Sequence, residues 1–183
     1  KKQDITYLKI YSGFDIETSN VDIPKNDKGD VIHLAFMYHW QFSFVSDSSG
    51  IVFMGRYWSE FLHLMEKLES FYGLGFDKRI LIWIANAGFE FQFIRKKFDW
   101  AEDDFFAREE RHPLKFRTGG YEFHEALTIS GGSLAQLAKD YTVTQKLKGD
   151  LDFKIFRSGK TPLEFGEKSY CINDVTILSE WSY

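Results

Sequence analysis

Asp15-Ile16-Glu17-Thr18 places two carboxylates one residue apart at the end of a hydrophobic run. If residues 5–15 form a β-strand, side chains two apart share a face, so Asp15 and Glu17 project to the same side. Carboxylates held this close repel each other unless a cation lies between them. Hard oxygen ligands suit Mg²⁺ or Mn²⁺, the ions that serve phosphoryl transfer. The alternative is a solvated strand end with two acids by chance.

The composition indicates one folded domain spanning residues 1–183. Of the 183 residues 44% are hydrophobic and 18% aromatic, which excludes a disordered chain. No apolar run is long enough to span a membrane, the amino-terminal residues lack a signal-peptide core, and no membrane partner is expected. The single cysteine, Cys171, excludes an internal disulfide and fits a reducing compartment. We therefore expect a cytoplasmic setting, in the source cell or its host.

The formal net charge is −4 and the pI about 5.8. This charge is a poor match to a protein that binds duplex DNA through a broad basic surface. It is compatible with an enzyme that grips a few nucleotides, since acidic metal ligands lower the formal charge and bound cations restore it locally.

Hydrophobic periodicity predicts a mixed α/β sheet flanked by helices. The predicted strands cover residues 5–15, 31–40, 42–45, 51–54 and 79–85, and the predicted helices cover 58–71, 88–98, 133–141 and 161–181. Residues 19–30 read as a polar segment outside the sheet, and residues 104–130 as short strands and turns. Thr161-Pro162-Leu163-Glu164 has the composition of a helix start.

Two further acids lie in patterns that suggest a site. Tyr170 and Asp174 are four residues apart on the last predicted helix and share a face. Glu90 stands inside the aromatic stretch Asn86-Ala87-Gly88-Phe89-Glu90-Phe91-Gln92-Phe93, although acids are seldom buried without a partner. The alternatives are structural roles. Tyr170 would pack under the sheet, Asp174 would be exposed to solvent, and Glu90 would be favoured at the N-terminus of a helix by the helix dipole.

In this order, D-I-E-T, N-x-x-x-E-F-x-F and Y-x-x-x-D resemble the three exonuclease motifs of family B DNA polymerases. Leu147-Lys148-Gly149-Asp150-Leu151-Asp152-Phe153 resembles the Lys-x-x-hydrophobic element of the protein-primed branch, found in phages and linear plasmids. The resemblance covers nearly the whole chain. It implies a ribonuclease-H-like fold and a 3′→5′ exonuclease of the DEDD type that uses two Mg²⁺ or Mn²⁺ ions.

The resemblance also implies a role for each matching residue. Asp15, Glu17, Glu90 and Asp174 would bind the metals, Tyr170 would orient the attacking water, and Lys148 would contact the scissile phosphate or support that water. The residues that would hold the 3′-terminal nucleotides are Thr18, Asn86, Phe89, Phe93 and Leu127. Phe93 reads equally well as a core residue. None of the five histidines lies beside these motifs.

Two positions depart from the family pattern. Glu90 stands where many members carry Asp, and Ala126 stands beside Leu127 where the family has a serine that contacts the single strand. A longer Glu90 side chain would bind a metal from a shifted backbone or through water. The loss of the hydroxyl at Ala126 removes one contact to the strand.

The polymerase-site patterns Asp-x-x-Ser-Leu-Tyr-Pro and Tyr-x-Asp-Thr-Asp do not occur in the chain. We therefore expect an excised proofreading domain that does not synthesise DNA. Its expected partners are a single-stranded DNA 3′ end, the polymerase domain of a larger chain and a priming protein. Two alternatives remain: a free-standing DEDD exoribonuclease, and a catalytically weak or silent module that grips a nucleic acid.

Overall fold

A mixed β-sheet flanked by helices forms the body of the protein. The computed structural model describes residues 4–25, 29–47, 49–149, 151–152 and 155–183. The strands are β1 (Thr6–Tyr7), β2 (Ser12–Pro24), β3 (Val31–Ser46), β4 (Ser49–Gly55), β5 (Lys78–Ile84), β6 (Phe106–Glu109), β7 (His112–Thr118) and β8 (Tyr121–Glu125). The helices are α1 (Trp58–Tyr72), α2 (Ala87–Ile94), α3 (Ala126–Ser130), α4 (Leu134–Tyr141) and α5 (Phe165–Ser182), with a 3₁₀ turn at Glu102–Asp104.

The described strands make an open eight-stranded sheet in the order β4-β3-β2-β5-β8-β7-β6, with β1 pairing β5. Strands β2, β5 and β8 are parallel to one another, and the remaining neighbours on this path are antiparallel. This mixed sheet with flanking helices is consistent with a ribonuclease-H-like fold, as the sequence predicts. None of the helices in the described part of the chain is both long and apolar enough to cross a membrane.

The two faces of β2 have different partners. Phe14 and Ile16 point into an aromatic core with Trp40 and Phe42 of β3 and Phe61 of α1. The alternate residues of β2 face α5, which packs across β2 and β3. The acids of β2 therefore lie in the layer between the sheet and α5.

Strand β2 is longer than the sequence predicts. The predicted strand over residues 5–15 is two strands, and β2 continues through Pro24 because it pairs with β3 as far as Val31. The prediction that residues 19–30 lie outside the sheet is therefore wrong for residues 19–24, which belong to β2. Asp15 and Glu17 lie inside a strand, and a bulge in the pairing follows Glu17 directly. Bulges of this kind re-aim side chains and are frequent beside active sites.

Three other boundaries differ from the predictions. Helix α2 ends at Ile94, and a short helix, α3, lies in the region read as strands and turns. Helix α5 begins at Phe165 with Glu164 as its capping residue. Thr161 does not cap α5 because its hydroxyl accepts a hydrogen bond from the backbone N–H of Ser158, and its carbonyl accepts one from Arg56.

Gly13 allows α5 to approach β2. A Cβ atom at this position would lie 2.7 Å from Leu178 Cβ and 2.8 Å from the carbonyl oxygen of Val175, closer than atoms can pack. We expect Gly13→Ala to lower the free energy of unfolding by about 1–3 kcal/mol because α5 must move off the sheet. Urea unfolding of Gly13→Ala beside Gly75→Ala, where a Cβ meets nothing within 4 Å, measures this. Equal stability of the two variants would contradict the close fit.

Candidate active site

Three elements bring four acidic side chains close enough for their charges to affect one another. Asp15 and Glu17 come from β2, Glu90 from α2 directly after β5, and Asp174 from α5. Glu17, Glu90 and Asp174 are buried, and Asp15 is partly buried. The structure thus collects the four acids that the sequence motifs single out.

Burial and mutual repulsion disfavour the charged forms of these acids. Burial, with the nearby charge of Asp174, raises the pKa of Asp15 to about 7. Burial, with the charges of Asp15 and Asp174, raises the pKa of Glu17 to about 9. Burial, with the nearby charge of Asp15, also raises the pKa of Glu90. Positive charge beside these acids would favour their charged forms, and a bound cation would supply it.

Gln41 and Lys146 partly offset the negative charge. The Gln41 side-chain amide lies 2.6 Å from Asp15 Oδ2 and 3.2 Å from Glu17 Oε1. Lys146 Nζ forms an ion pair at 2.6 Å with Asp174 Oδ1. Burial raises the pKa of Asp174, although the Lys146 contact acts in the opposite direction.

Lys146 also joins Asp174 to Tyr170. Its Nζ lies 3.6 Å from the centre of the Tyr170 ring, a distance typical of a cation–π contact. Burial raises the pKa of Tyr170, so its hydroxyl is neutral at pH 7 and acts as a hydrogen-bonding group. Lys148, the lysine singled out by the sequence, is exposed, and its role stays a prediction. Asp150, Phe153 and Lys154 of the same segment lie outside the described residues.

The donor chemistry of the four acids fits a hard divalent cation, since all their ligand atoms are carboxylate oxygens. Glu90 Oε2 is buried without a hydrogen-bond partner, so this oxygen atom is free to act as a ligand of such an ion. Among the residues that the structure describes, however, no group of three or more His, Cys, Asp or Glu side chains is arranged to hold a metal.

Four of the five predicted nucleotide contacts follow the carboxyl ends of β5 and β8, and the fifth, Thr18, lies within β2. Asn86 and Phe89 are exposed, Thr18, Phe93 and Leu127 are partly buried, and the Phe89 and Phe93 rings are in contact, with centres 5.1 Å apart. Phe93 also packs against the aromatic core, and Leu127 against the cluster under α5. Both therefore have a packing role, and their contact with substrate stays a prediction.

A small cavity of about 110 Å³ lies beside Asn86. It is lined by residues that include Gly88, His112, Leu114 and Glu125. The Glu125 carboxylate accepts a hydrogen bond from the backbone N–H of Ala87, at the first residue of α2. Ala126, which stands where the family has serine, is fully buried at the start of α3.

Gln41 and Lys146 contact the acids but are not assigned to the site from the sequence. A glutamine between two aromatic residues of a strand, in Trp40-Gln41-Phe42, is the one signal that the sequence offers for Gln41. Lys146 lies in an irregular segment where spacing gives no direction.

The fold has solved counterparts. Phi29 DNA polymerase complexed with single-stranded DNA matches with a TM-score of 0.61 and 15% sequence identity, over 93% of this chain and 30% of that chain. The ternary complex of Phi29 DNA polymerase with primer-template DNA and incoming nucleotide matches with a TM-score of 0.59 and 14% identity over the same shares. No family model and no curated protein sequence matches the chain. The likeness shows a common fold, and the chain spans about a third of the length of those polymerases.

Proposed function

We propose that the chain is a metal-dependent 3′→5′ exonuclease that acts on the 3′ end of single-stranded DNA. The observation that carries the proposal is the group of four coupled acids, drawn from β2, α2 and α5, with Lys146 and Tyr170 beside it. The fold shared with a DNA polymerase over 93% of the chain supports it. Acids concentrated where a negatively charged substrate must bind are what metal-assisted phosphodiester hydrolysis uses, because divalent cations can bridge the carboxylates and the phosphate.

In the proposed reaction Asp15, Glu17, Glu90 and Asp174 hold two Mg²⁺ or Mn²⁺ ions. When bound, such ions supply the activated water and the neutralisation of charge that phosphodiester hydrolysis needs. The Tyr170 hydroxyl stays protonated at pH 7, so it orients a water by hydrogen bonding and does not serve as a general base. The Lys146 ammonium adds positive charge beside Asp174, where a phosphate would otherwise meet only carboxylates.

The strand end would lie along the carboxyl ends of β5 and β8. Phe89, 40% exposed, offers a ring on which an unpaired base can stack, a contact worth about 1–3 kcal/mol per base without sequence preference. Asn86, Thr18, Phe93 and Leu127 would complete the grip on the last nucleotides. We further propose that the domain proofreads for a larger protein-primed polymerase, whose polymerase domain and priming protein are its partners.

Degradation of a 5′-labelled single-stranded DNA with Mg²⁺, Mn²⁺ or EDTA tests this proposal. A metal-dependent ladder that shortens from the 3′ end is the expected result. The same assay with an RNA of equal sequence separates a deoxyribonuclease from the exoribonuclease alternative. A chain that degrades neither substrate with either metal contradicts the proposed activity.

A module that binds a strand end without cutting it is the second candidate. The observation that favours it is the ion pair between Lys146 and Asp174, in a described structure where no three acids are arranged to hold a metal. Oligonucleotide binding without any metal-dependent cleavage would support this candidate over the exonuclease.

Replacing each lysine in turn decides which one serves the site. We expect Lys146→Ala to slow DNA degradation by about 100-fold. Among the described residues, Lys146 is the only cationic side chain in contact with both Asp174 and Tyr170, and the substitution removes it. Lys148→Ala is the matched control, since Lys148 is exposed two residues away. Single-turnover degradation rates measure both. A larger loss in Lys148→Ala than in Lys146→Ala would return the role to Lys148.

A further inference from the structure

Gln41 is a fully buried polar residue that touches two of the four acids. It lies on β3 directly opposite Asp15 of β2. An amide nitrogen carries two hydrogens, so one group can donate to two acceptors. Gln41 Nε2 does this, at 2.6 Å from Asp15 Oδ2 and 3.2 Å from Glu17 Oε1.

The two acids explain a glutamine at this buried position. Gln41 Oε1 is buried without a hydrogen-bond partner, and an acceptor left in that condition costs about 1–3 kcal/mol. An apolar side chain of the same length would avoid this cost, but it would leave Asp15 and Glu17 without the amide that donates to both. The opposite orientation of the amide would place its oxygen against two carboxylates, so the acids fix which end faces them.

The contacts of Gln41 involve one oxygen of each carboxylate. Gln41 engages Asp15 Oδ2 and Glu17 Oε1, and the Cys171 thiol lies 3.7 Å from that same Glu17 oxygen. The amide therefore fixes one oxygen of each acid and makes no hydrogen bond to the other. Groups that hold ligands in this way govern the affinity and geometry of metal sites.

We propose that Gln41 is a positioning residue, whose amide sets the relative orientation of Asp15 and Glu17 for a divalent cation. This inference rests on the proposed function, because it assumes that these acids bind metal. It assigns no reacting atom to Gln41. It predicts a defect in metal binding rather than in the chemistry that follows.

The test compares Gln41→Met, which keeps the length of the side chain and removes both donors, with Ser43→Ala. Ser43 lies two residues along the same strand and hydrogen-bonds the backbone of Gly13 and Val175, so its loss also disturbs buried polar contacts. Mn²⁺ binding followed by electron paramagnetic resonance should be about tenfold weaker in Gln41→Met and unchanged in Ser43→Ala. In the cleavage assay the Mn²⁺ concentration for half-maximal rate should rise about tenfold in Gln41→Met, and the rate at saturating Mn²⁺ should stay within a few-fold.

Three results would overturn the inference. Equal Mn²⁺ affinity in Gln41→Met and the unsubstituted chain would make Gln41 a packing residue. An equal loss in Ser43→Ala would assign the effect to the sheet as a whole. Failure of the unsubstituted chain to bind Mn²⁺ would remove the metal assignment itself. Failure of the proposed function is thus seen in the unsubstituted chain, whereas failure of the inference about Gln41 is seen only when the variants are compared with it.

Discussion

The Asp15→Ala, Glu17→Ala double variant should lose at least about 10³-fold of the DNA-degrading rate, because two of the four proposed metal ligands are gone. Metal-assisted hydrolysis draws several kcal/mol of transition-state stabilisation from its ions, and each 1.36 kcal/mol is a factor of ten in rate. The rate of shortening of a 5′-labelled oligonucleotide at saturating Mn²⁺ measures the loss. An undiminished rate would end the two-metal assignment.

The fold of the double variant should persist. Asp15 and Glu17 are coupled acids whose burial disfavours their charge, so they do not support the stability of the chain at pH 7. Thermal unfolding of Asp15→Asn with Glu17→Gln, which keeps the side-chain volumes, should show a melting temperature at least equal to that of the unsubstituted chain. Added Mn²⁺ should raise the melting temperature of the unsubstituted chain alone.

Asp22→Ala is the control for a lost carboxylate on the same strand. Asp22 lies on the exposed part of β2, where it pairs with His33 at 2.5 Å. Its removal should leave both the cleavage rate and the response to Mn²⁺ unchanged. A loss comparable to that of the double variant would show that any acid on β2 matters through the general charge of the strand.

The motif-bearing residues were accessible to sequence reasoning because each motif lies on one element of known periodicity. Asp15 with Glu17, and Tyr170 with Asp174, share faces whatever the rest of the chain does. The buried strand around Ile82 and the cap at Ser133 are local patterns too, and both are confirmed. The mixed α/β class follows from the order of such elements.

Features that depend on pairing between distant segments could not be predicted. The continuation of β2 to Pro24 and the position of Gln41 opposite Asp15 both come from the register with β3. Lys146 reaches Asp174 through an irregular segment, where no periodicity tells one lysine from the next. Thr161 resembles a helix cap, but its hydrogen bonds are taken by Ser158 and Arg56.

Arg79 of β5 and Glu122 of β8 form a buried ionic cluster. Arg79 of β5 is fully buried, and its Nη1 lies 2.5 Å from Glu122 Oε2 of β8. The Tyr7 hydroxyl and His124 Nε2 also contact the Glu122 carboxylate, at 2.9 and 2.7 Å. Burial by itself raises the pKa of Glu122, but the contacts with His124, Arg79 and Tyr7 outweigh it and lower that pKa to about 2.

Glu122→Gln should lower the free energy of unfolding by about 3 kcal/mol at pH 7, because it leaves the Arg79 guanidinium buried with Asp104, 3.2 Å away, as its remaining acid. The folded pKa of Glu122 lies below the ordinary value of 4.5, so its contribution is complete above about pH 4.5 and is lost as the pH falls towards 2. Urea unfolding should therefore show a difference between the variant and the unsubstituted chain that shrinks over this range.

Glu110→Gln, which removes an exposed acid 3.9 Å from Arg111, is the control and should change the free energy of unfolding by less than about 0.5 kcal/mol at any pH. A Glu122→Gln difference that is small at pH 7, or that persists unchanged to pH 2, would show that the cluster contributes packing alone.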